Sequence, residues 1–176
     1  MSEHDGDQPI ETVWEGRFIR ARRQGRWEFV GRARNIRAAV ILAIHEGHVL
    51  LVEQYRVPLG RRSLELPAGL IGDETEGETI EAAATRELEE ETGYRPSAIE
   101  IVGEFASSPG MVSETFTLVR AHGLVRTGGG GGVEGEDIVV HRVPLADVAR
   151  FVAAKRGEGL AMDVKLLALL GSGLVG

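Results

Sequence analysis

The run Arg86-Glu87-Leu88-Glu89-Glu90-Glu91-Thr92-Gly93 constrains this chain more than any other stretch. Ala82-Ala83-Ala84 ahead of it favours helix, Glu78 or Thr79 can cap that helix, and Thr92-Gly93 is a stop signal. A short helix is therefore predicted, with four glutamates at the end where the helix dipole is already negative. Each carboxylate there is disfavoured by roughly 0.3–1 kcal/mol. Glu87 and Glu91, one turn apart, repel by a further ~0.2–0.5 kcal/mol. Arg86 supplies one positive charge against them. A local rule broken without compensation marks a site, and the missing partner is a divalent cation. On an ideal helix Glu87, Glu90 and Glu91 share about one third of the circumference, with Glu89 roughly opposite. Three carboxylates on one face suit a hard, oxygen-seeking ion, Mg²⁺ or Mn²⁺. The competing reading is a solvated acidic helix end, because charge runs are usually exposed faces.

The rest of the chain supplies the frame. Its 176 residues suit one domain with a sizeable core. A net charge of -7 argues against nucleic acid as a partner, so a phosphate-bearing substrate needs local arginines or a metal. With no cysteine, disulfides, thiol catalysis and cysteine-ligated zinc are excluded. No apolar run reaches the ~18 residues of a membrane span. The polar start, Met1 to Pro9, is unlike a secretory signal. A cytoplasmic location and no membrane partner are expected. Residues 1–9 read as a disordered tail and 10–36 as an N-terminal β segment rich in aromatic and β-branched residues. Ala38–Ile44 and Val49–Tyr55 read as a hairpin, Leu64–Gly69 as a strand into a turn, and 72–77 as a polar loop. Strands follow at Ile99–Phe105, Thr115–Ala121 and Ile138–Val143, and helices at Leu145–Ala154 and Met162–Leu170. Gly128 to Gly132 read as a mobile surface loop. This order predicts an α+β class, a mixed sheet with helices packed against it.

Spacing sharpens the reading of the acidic helix. Gly72, five residues, Glu78, seven residues, Arg86-Glu87-Leu88, one residue, Glu90-Glu91, one residue, Gly93-Tyr94 resembles in full the signature of the Nudix hydrolases. The resemblance implies a Nudix fold over 37–176, a mixed β-sheet sandwiched by helices, with a loop-helix-loop that holds Mg²⁺ or Mn²⁺ against a diphosphate. It implies Glu87 and Glu91 as metal ligands, Glu90 as a ligand or an acceptor behind them, and the Ala68 carbonyl as a further ligand. Arg86 would orient the carboxylates and Glu78 would brace Arg86. Gly72 and Gly93 need only structural roles.

Further stretches resemble the ADP-ribose pyrophosphatase branch: Gln54-Tyr55-Arg56, Leu64-Glu65-Leu66-Pro67-Ala68-Gly69, Pro109, and Trp27-Glu28 with Arg32. By that resemblance Trp27 stacks on the base, Glu28 accepts from its exocyclic amine, and Arg32 or Arg56 grips phosphate. Plainer readings are a core tryptophan and strand-end charges. The branch implies a homodimer with a shared pocket, Trp27 and Arg32 of one chain serving the other. The proton acceptor in that branch often lies on a loop outside the box. Here the matching stretch is Glu134-Gly135-Glu136-Asp137-Ile138, and Glu136 is the choice, against a merely solubilising role. Glu114 is the rival base, better placed for the terminal ribose. The implied reaction is hydrolysis of ADP-ribose to AMP and ribose 5-phosphate. Alternatives are another nucleotide sugar such as GDP-mannose, a dinucleotide, or a non-catalytic nucleotide-binding module.

Overall fold

In the computed structural model, which describes residues 5–33, 37–72 and 77–175, the chain opens with a three-stranded antiparallel sheet. Its strands are β1 (Glu11–Glu15), β2 (Ile19–Gln24) and β3 (Trp27–Arg32). Asp5–Asp7 form a 3-10 turn, and the Gln24 amide donates to the Gly6 and Gln8 carbonyls at 3.0 and 2.9 Å. Side-chain and backbone donors from Arg26 also reach the Asp5 carboxylate, so Asp5, Gly6 and Gln8 have partners that composition does not reveal. Residues 1–4 of the expected tail, residues 34–36 of the N-terminal segment and residues 73–76 of the polar loop lie outside the described residues.

The expected hairpin forms as β4 (Arg37–His45) and β5 (His48–Arg56), followed by β6 (Arg61–Glu65), β7 (Ala68–Ile71) and α1 (Ile80–Thr92). Then come β8 (Tyr94–Arg95), β9 (Ala98–Ala106), β10 (Thr115–His122), β11 (Val125–Arg126) and β12 (Val139–Pro144). The chain closes with α2 (Val148–Gly157), β13 (Ala161–Met162) and α3 (Leu167–Val175). The class is α+β. Eight strands make one mixed sheet, with β4–β10 and β13–β6 parallel and the other pairs antiparallel. No helix among the described residues is long and apolar enough to cross a membrane.

Period-two alternation explains how one strand feeds two cores. On β4, Ala39, Ile41 and Ala43 face a cluster with Ala83, Ala84 and Leu88 of α1. Val40, between them, faces a second cluster with Val148 and Val152 of α2. On β5, Leu50 joins the first cluster while Val49 and Leu51 join the second. Burying such a side chain stabilises by about 1.5–3 kcal/mol, so a one-residue slip in either strand would misplace all of them.

The hairpin also positions the site. β4 and β5 pair only at Ile44–Val49 and His45–His48. Beyond that point β4 turns to β7 and β10, whereas β5 turns to β6 and β12. A cleft of about 480 Å³ opens where they part, bounded by Val40, Gln54, Ala68 and Phe116. The N-terminal sheet is fastened beside it. The Val30 N–H donates to Met111 at 3.0 Å, and the Ser113 N–H donates to Val30 at 2.9 Å.

Candidate active site

Thr79 starts α1, its hydroxyl accepting from the Ala82 N–H at 3.2 Å, and Gly93 ends it with φ 74°. The helix therefore stops where the sequence predicts, and its last two turns deliver Glu87, Glu90 and Glu91 to the cleft. Glu91 is buried, 5% exposed. Its Oε2 accepts from the Ala68 N–H at 3.1 Å. Burial is the main reason its carboxyl is pushed up to about 8; Glu87 and Glu136 nearby add to that, against the Ala68 N–H and Arg56. Burial also raises Glu87, opposed by Arg86. Glu87 lies across the backbone of β7: a Cβ on Gly69 would overlap its carboxyl group, so a larger residue there would push Glu87 out of this position.

Arg86 is the hub of the remaining acids. Its guanidinium donates to Glu87 at 3.0 Å, to Glu90 at 3.3 Å and to Glu78 at 3.2 and 3.3 Å. The hydrogen bonds from Arg86 hold Glu78 below the usual carboxylate range. Glu89 points away and pairs with Arg95 at 2.6 Å. The four acids thus have more cationic company than Arg86 alone, because Arg95 is brought back by β8.

Other elements close the cleft around this face. Arg56, at the end of β5, forms a two-pronged pair with Glu65 of β6 at 2.8 and 2.7 Å. Burial works against charge on Glu65, but the Arg56 fork overrides it and holds the carboxyl low. Arg32, ending β3, donates to Glu114 at 2.6 Å. Glu136 lines the cleft from the loop before β12, its Oε2 accepting from the Val133 N–H at 2.9 Å. Lys165 lines it from the segment before α3.

The glycine run corrects the expectation of a mobile loop. Gly131 and Gly132 N–H groups donate to the carbonyls of Glu91 and Glu90 at 2.8 and 3.0 Å. Thr127 and Gly128 donate to the Gly93 carbonyl at 2.8 and 3.1 Å. The run therefore satisfies carbonyls that α1 leaves open at its C-terminus. Gly130 sits at φ 67°, and a Cβ there would meet the Glu91 oxygen at 2.7 Å. Glycine is required because two backbones touch, which composition alone cannot tell from looseness.

A NUDIX domain pattern matches residues 34–161. The chain belongs to the Nudix family. It is 36% identical over 119 residues to the methanol dehydrogenase activator of Bacillus methanolicus, spanning 67% of this chain and 63% of that one. It is 38% identical over 132 residues to the ADP-sugar pyrophosphatase of Mus musculus, spanning 71% and 59%. The GDP-mannose pyrophosphatase of Cronobacter sakazakii is 36% identical over 143 residues, spanning 76% and 70%. The first two matches thus cover less than two thirds of those relatives' own length. Among solved structures, an ADP compounds hydrolase superposes with a TM-score of 0.69 at 26% identity, over 94% of this chain and 91% of that one.

Within this Nudix frame, one cleft gathers Arg32, Arg56, Ala68, Arg86, Glu87, Glu90, Glu91, Glu114 and Glu136 from the sequence-based choices. Ala68 touches Glu91 through its N–H rather than its carbonyl. Trp27 and Glu28 do not line the cleft; both are exposed on the N-terminal sheet, Trp27 at 56%. Arg32, expected to serve a second chain, pairs here with Glu114 of its own chain and lines its own cleft. Glu65 and Lys165 are cleft residues that the sequence reading did not select. A charge between Leu64 and Leu66 in a strand was the available signal for Glu65, because a buried acid needs a partner.

The donor set fits a hard cation. Every candidate ligand offers oxygen, and the nearly buried Glu91 carboxylate receives one backbone donor. As the side chains stand, among the described residues no group of three acids or histidines is arranged to hold a metal ion. Arg86 instead occupies the Glu87 and Glu90 oxygens.

Proposed function

We propose that this chain hydrolyses the diphosphate linkage of ADP-ribose, taking up one water and releasing AMP and ribose 5-phosphate. The observation that carries the reading is a single cleft lined by Glu87, Glu90, Glu91 and Glu136 together with Arg32, Arg56 and Lys165. Acids alone would repel a diphosphate and bases alone would only bind it. Both together allow binding and proton transfer at one place. Glu87 and Glu91 would hold Mg²⁺ or Mn²⁺, with Glu90 and the Ala68 carbonyl beside them. Such a cation, when bound, supplies neutralisation of the diphosphate and lowers the pKa of water.

Arg56 and Arg32 orient the phosphates by paired N–H donors. Arg86 steers Glu87 and Glu90, and Glu136 takes the proton of the attacking water. Glu114 has its carboxylate on Arg32, which suits positioning of the terminal ribose better than proton transfer. The names of the ADP-sugar pyrophosphatase and of the ADP compounds hydrolase support an ADP-linked substrate. The GDP-mannose pyrophosphatase supports a second reading, hydrolysis of that nucleotide sugar. An intact set of box carboxylates argues against a non-catalytic module.

The proposal includes a homodimer working in the cytoplasm. Exposed Trp14 and Trp27 on the N-terminal sheet, Phe18 in its first turn, and Ile101, Val102 and Phe105 on edge strand β9 offer the apolar surface that a second copy would cover. There Trp27 and Glu28 would contact the adenine of the neighbour's substrate. Turnover with Mg²⁺ across ADP-ribose, GDP-mannose, NADH and diadenosine polyphosphates tests the reading. The highest kcat/KM is expected for ADP-ribose, with loss on chelation. Preference for GDP-mannose would select the second reading, and turnover indifferent to chelator would remove the metal role.

A further inference from the structure

Behind the cleft lies a buried acid that the proposed chemistry does not use. Glu53 of β5 is 8% exposed. Its carboxylate meets Arg62 of β6 at 2.8 Å, Lys155 of α2 at 3.1 Å and the His141 ring of β12 at 3.0 Å. Arg62 also donates to the Glu53 backbone carbonyl at 3.0 Å. With Nε and Nη2 both on Glu53 the guanidinium is fixed in direction, and its Nη1–Nη2 edge is aimed at Asp137. It donates to the Asp137 carboxylate at 2.9 Å and to the Asp137 carbonyl at 2.9 Å.

Asp137 directly follows Glu136 and sits at φ 49°, a left-handed conformation for a residue with a side chain. Such a backbone persists where its surroundings over-determine it. On the other side of Glu136, Gly131 and Gly132 are bonded to the last carbonyls of α1, and the Ile138 N–H returns to the Gly131 carbonyl at 3.2 Å. Glu136 is thus suspended between two anchors, one on the helix that carries the box acids and one on Arg62.

We infer that Arg62 is a positioning residue for Glu136, acting through the Asp137 carboxylate and held in place by Glu53. The inference rests on the proposed role of Glu136 as proton acceptor and adds what aims it. A carboxylate on a loop serves as a base only within hydrogen-bond reach of its water, and a 1 Å misplacement can cost ~10²-fold in rate. The Arg62 contacts fix the loop at the residue next to that carboxylate.

The test is steady-state hydrolysis of ADP-ribose with Mg²⁺ by the full chain and the variants Arg62→Gln, Asp137→Gly and Asp137→Asn. Each is made alone and with Glu136→Gln. Glycine adopts positive φ without strain, so a merely structural Asp137 would tolerate Asp137→Gly. We expect that variant and Arg62→Gln to lower kcat by about 10–100-fold with KM within about twofold. Asp137→Asn, which keeps an acceptor and tolerates the backbone, recovers most of the loss. In the Glu136→Gln background neither change lowers kcat further.

Wild-type kcat for Asp137→Gly, or losses that multiply with that of Glu136→Gln, overturns the inference while leaving Glu136 as the base. Wild-type kcat for Glu136→Gln instead overturns the base assignment, and the inference with it. If Arg62→Gln fails to fold, Asp137→Gly decides alone, because its side chain is 83% exposed and leaves the Arg62–Glu53 pair intact.

Discussion

Glu89 and Glu91 stand two residues apart on the last turn of α1, under the same helix dipole, and end in opposite electrostatic conditions. Glu89 faces outward; bonds from Thr127 and then Arg95 hold its carboxyl below the usual range. Glu91 faces the cleft, and burial drives it up to about 8. The helix and the residue type are constant, so the difference comes from what the rest of the fold places on each side. The outer face received Arg95, Thr127 and solvent. The inner face received β7, the glycine run and Glu87, with an arginine at longer range. A cost that is removed on one face and kept on the other is where binding energy is to be sought.

Replacing Glu91 with Gln is the strongest way to break this comparison. Kcat for diphosphate hydrolysis should fall more than about 100-fold, beyond the usual effect of residues that only support ligands. Wild-type turnover in this variant would make the inward face ornamental.

The second effect is on stability, read without added divalent ions. An acid with a folded pKa above its unfolded value keeps a proton on folding that the unfolded chain releases. The Glu91 contribution is therefore fully present below 4.5 and is lost as pH rises through about 8. With EDTA present, thermal melts should show stability falling across that window by an amount on the order of a few kcal/mol. Glu91→Gln should flatten the slope. An unchanged slope in the variant would assign the strain elsewhere.

The smallest effect sharpens the contrast from the other side. Glu89→Ala removes an exposed pair with Arg95 and should leave kcat within about twofold. A large loss would show that the two faces are coupled through the helix.

Much of this contrast was legible in the sequence. The helix limits followed from Thr79, the alanines and Gly93, because caps and propensities act within a few residues. The hairpin followed from two apolar runs and a glycine. What escaped is long-range. Arg95 reaches Glu89 only because β8 turns the chain back, and Arg56 meets Glu65 only once β5 and β6 pair. Arg62 and Asp137 are 75 positions apart. Met162–Leu170 was expected as one helix, yet Ala161–Met162 pairs in parallel with β6 and α3 begins at Leu167. A two-residue strand is too short to show a period.

The contact between Gly130 and the end of α1 has a consequence for how such a protein is probed. Alanine scanning ordinarily subtracts atoms and reads what the missing group did. Where Gly130 lies on Glu91 and Gly93, any substitution inserts atoms between two main chains, so the scan reports a wedge instead of a deletion. That junction offers no side chain to remove, and drift there is confined to a single residue type for as long as the two chains stay in touch.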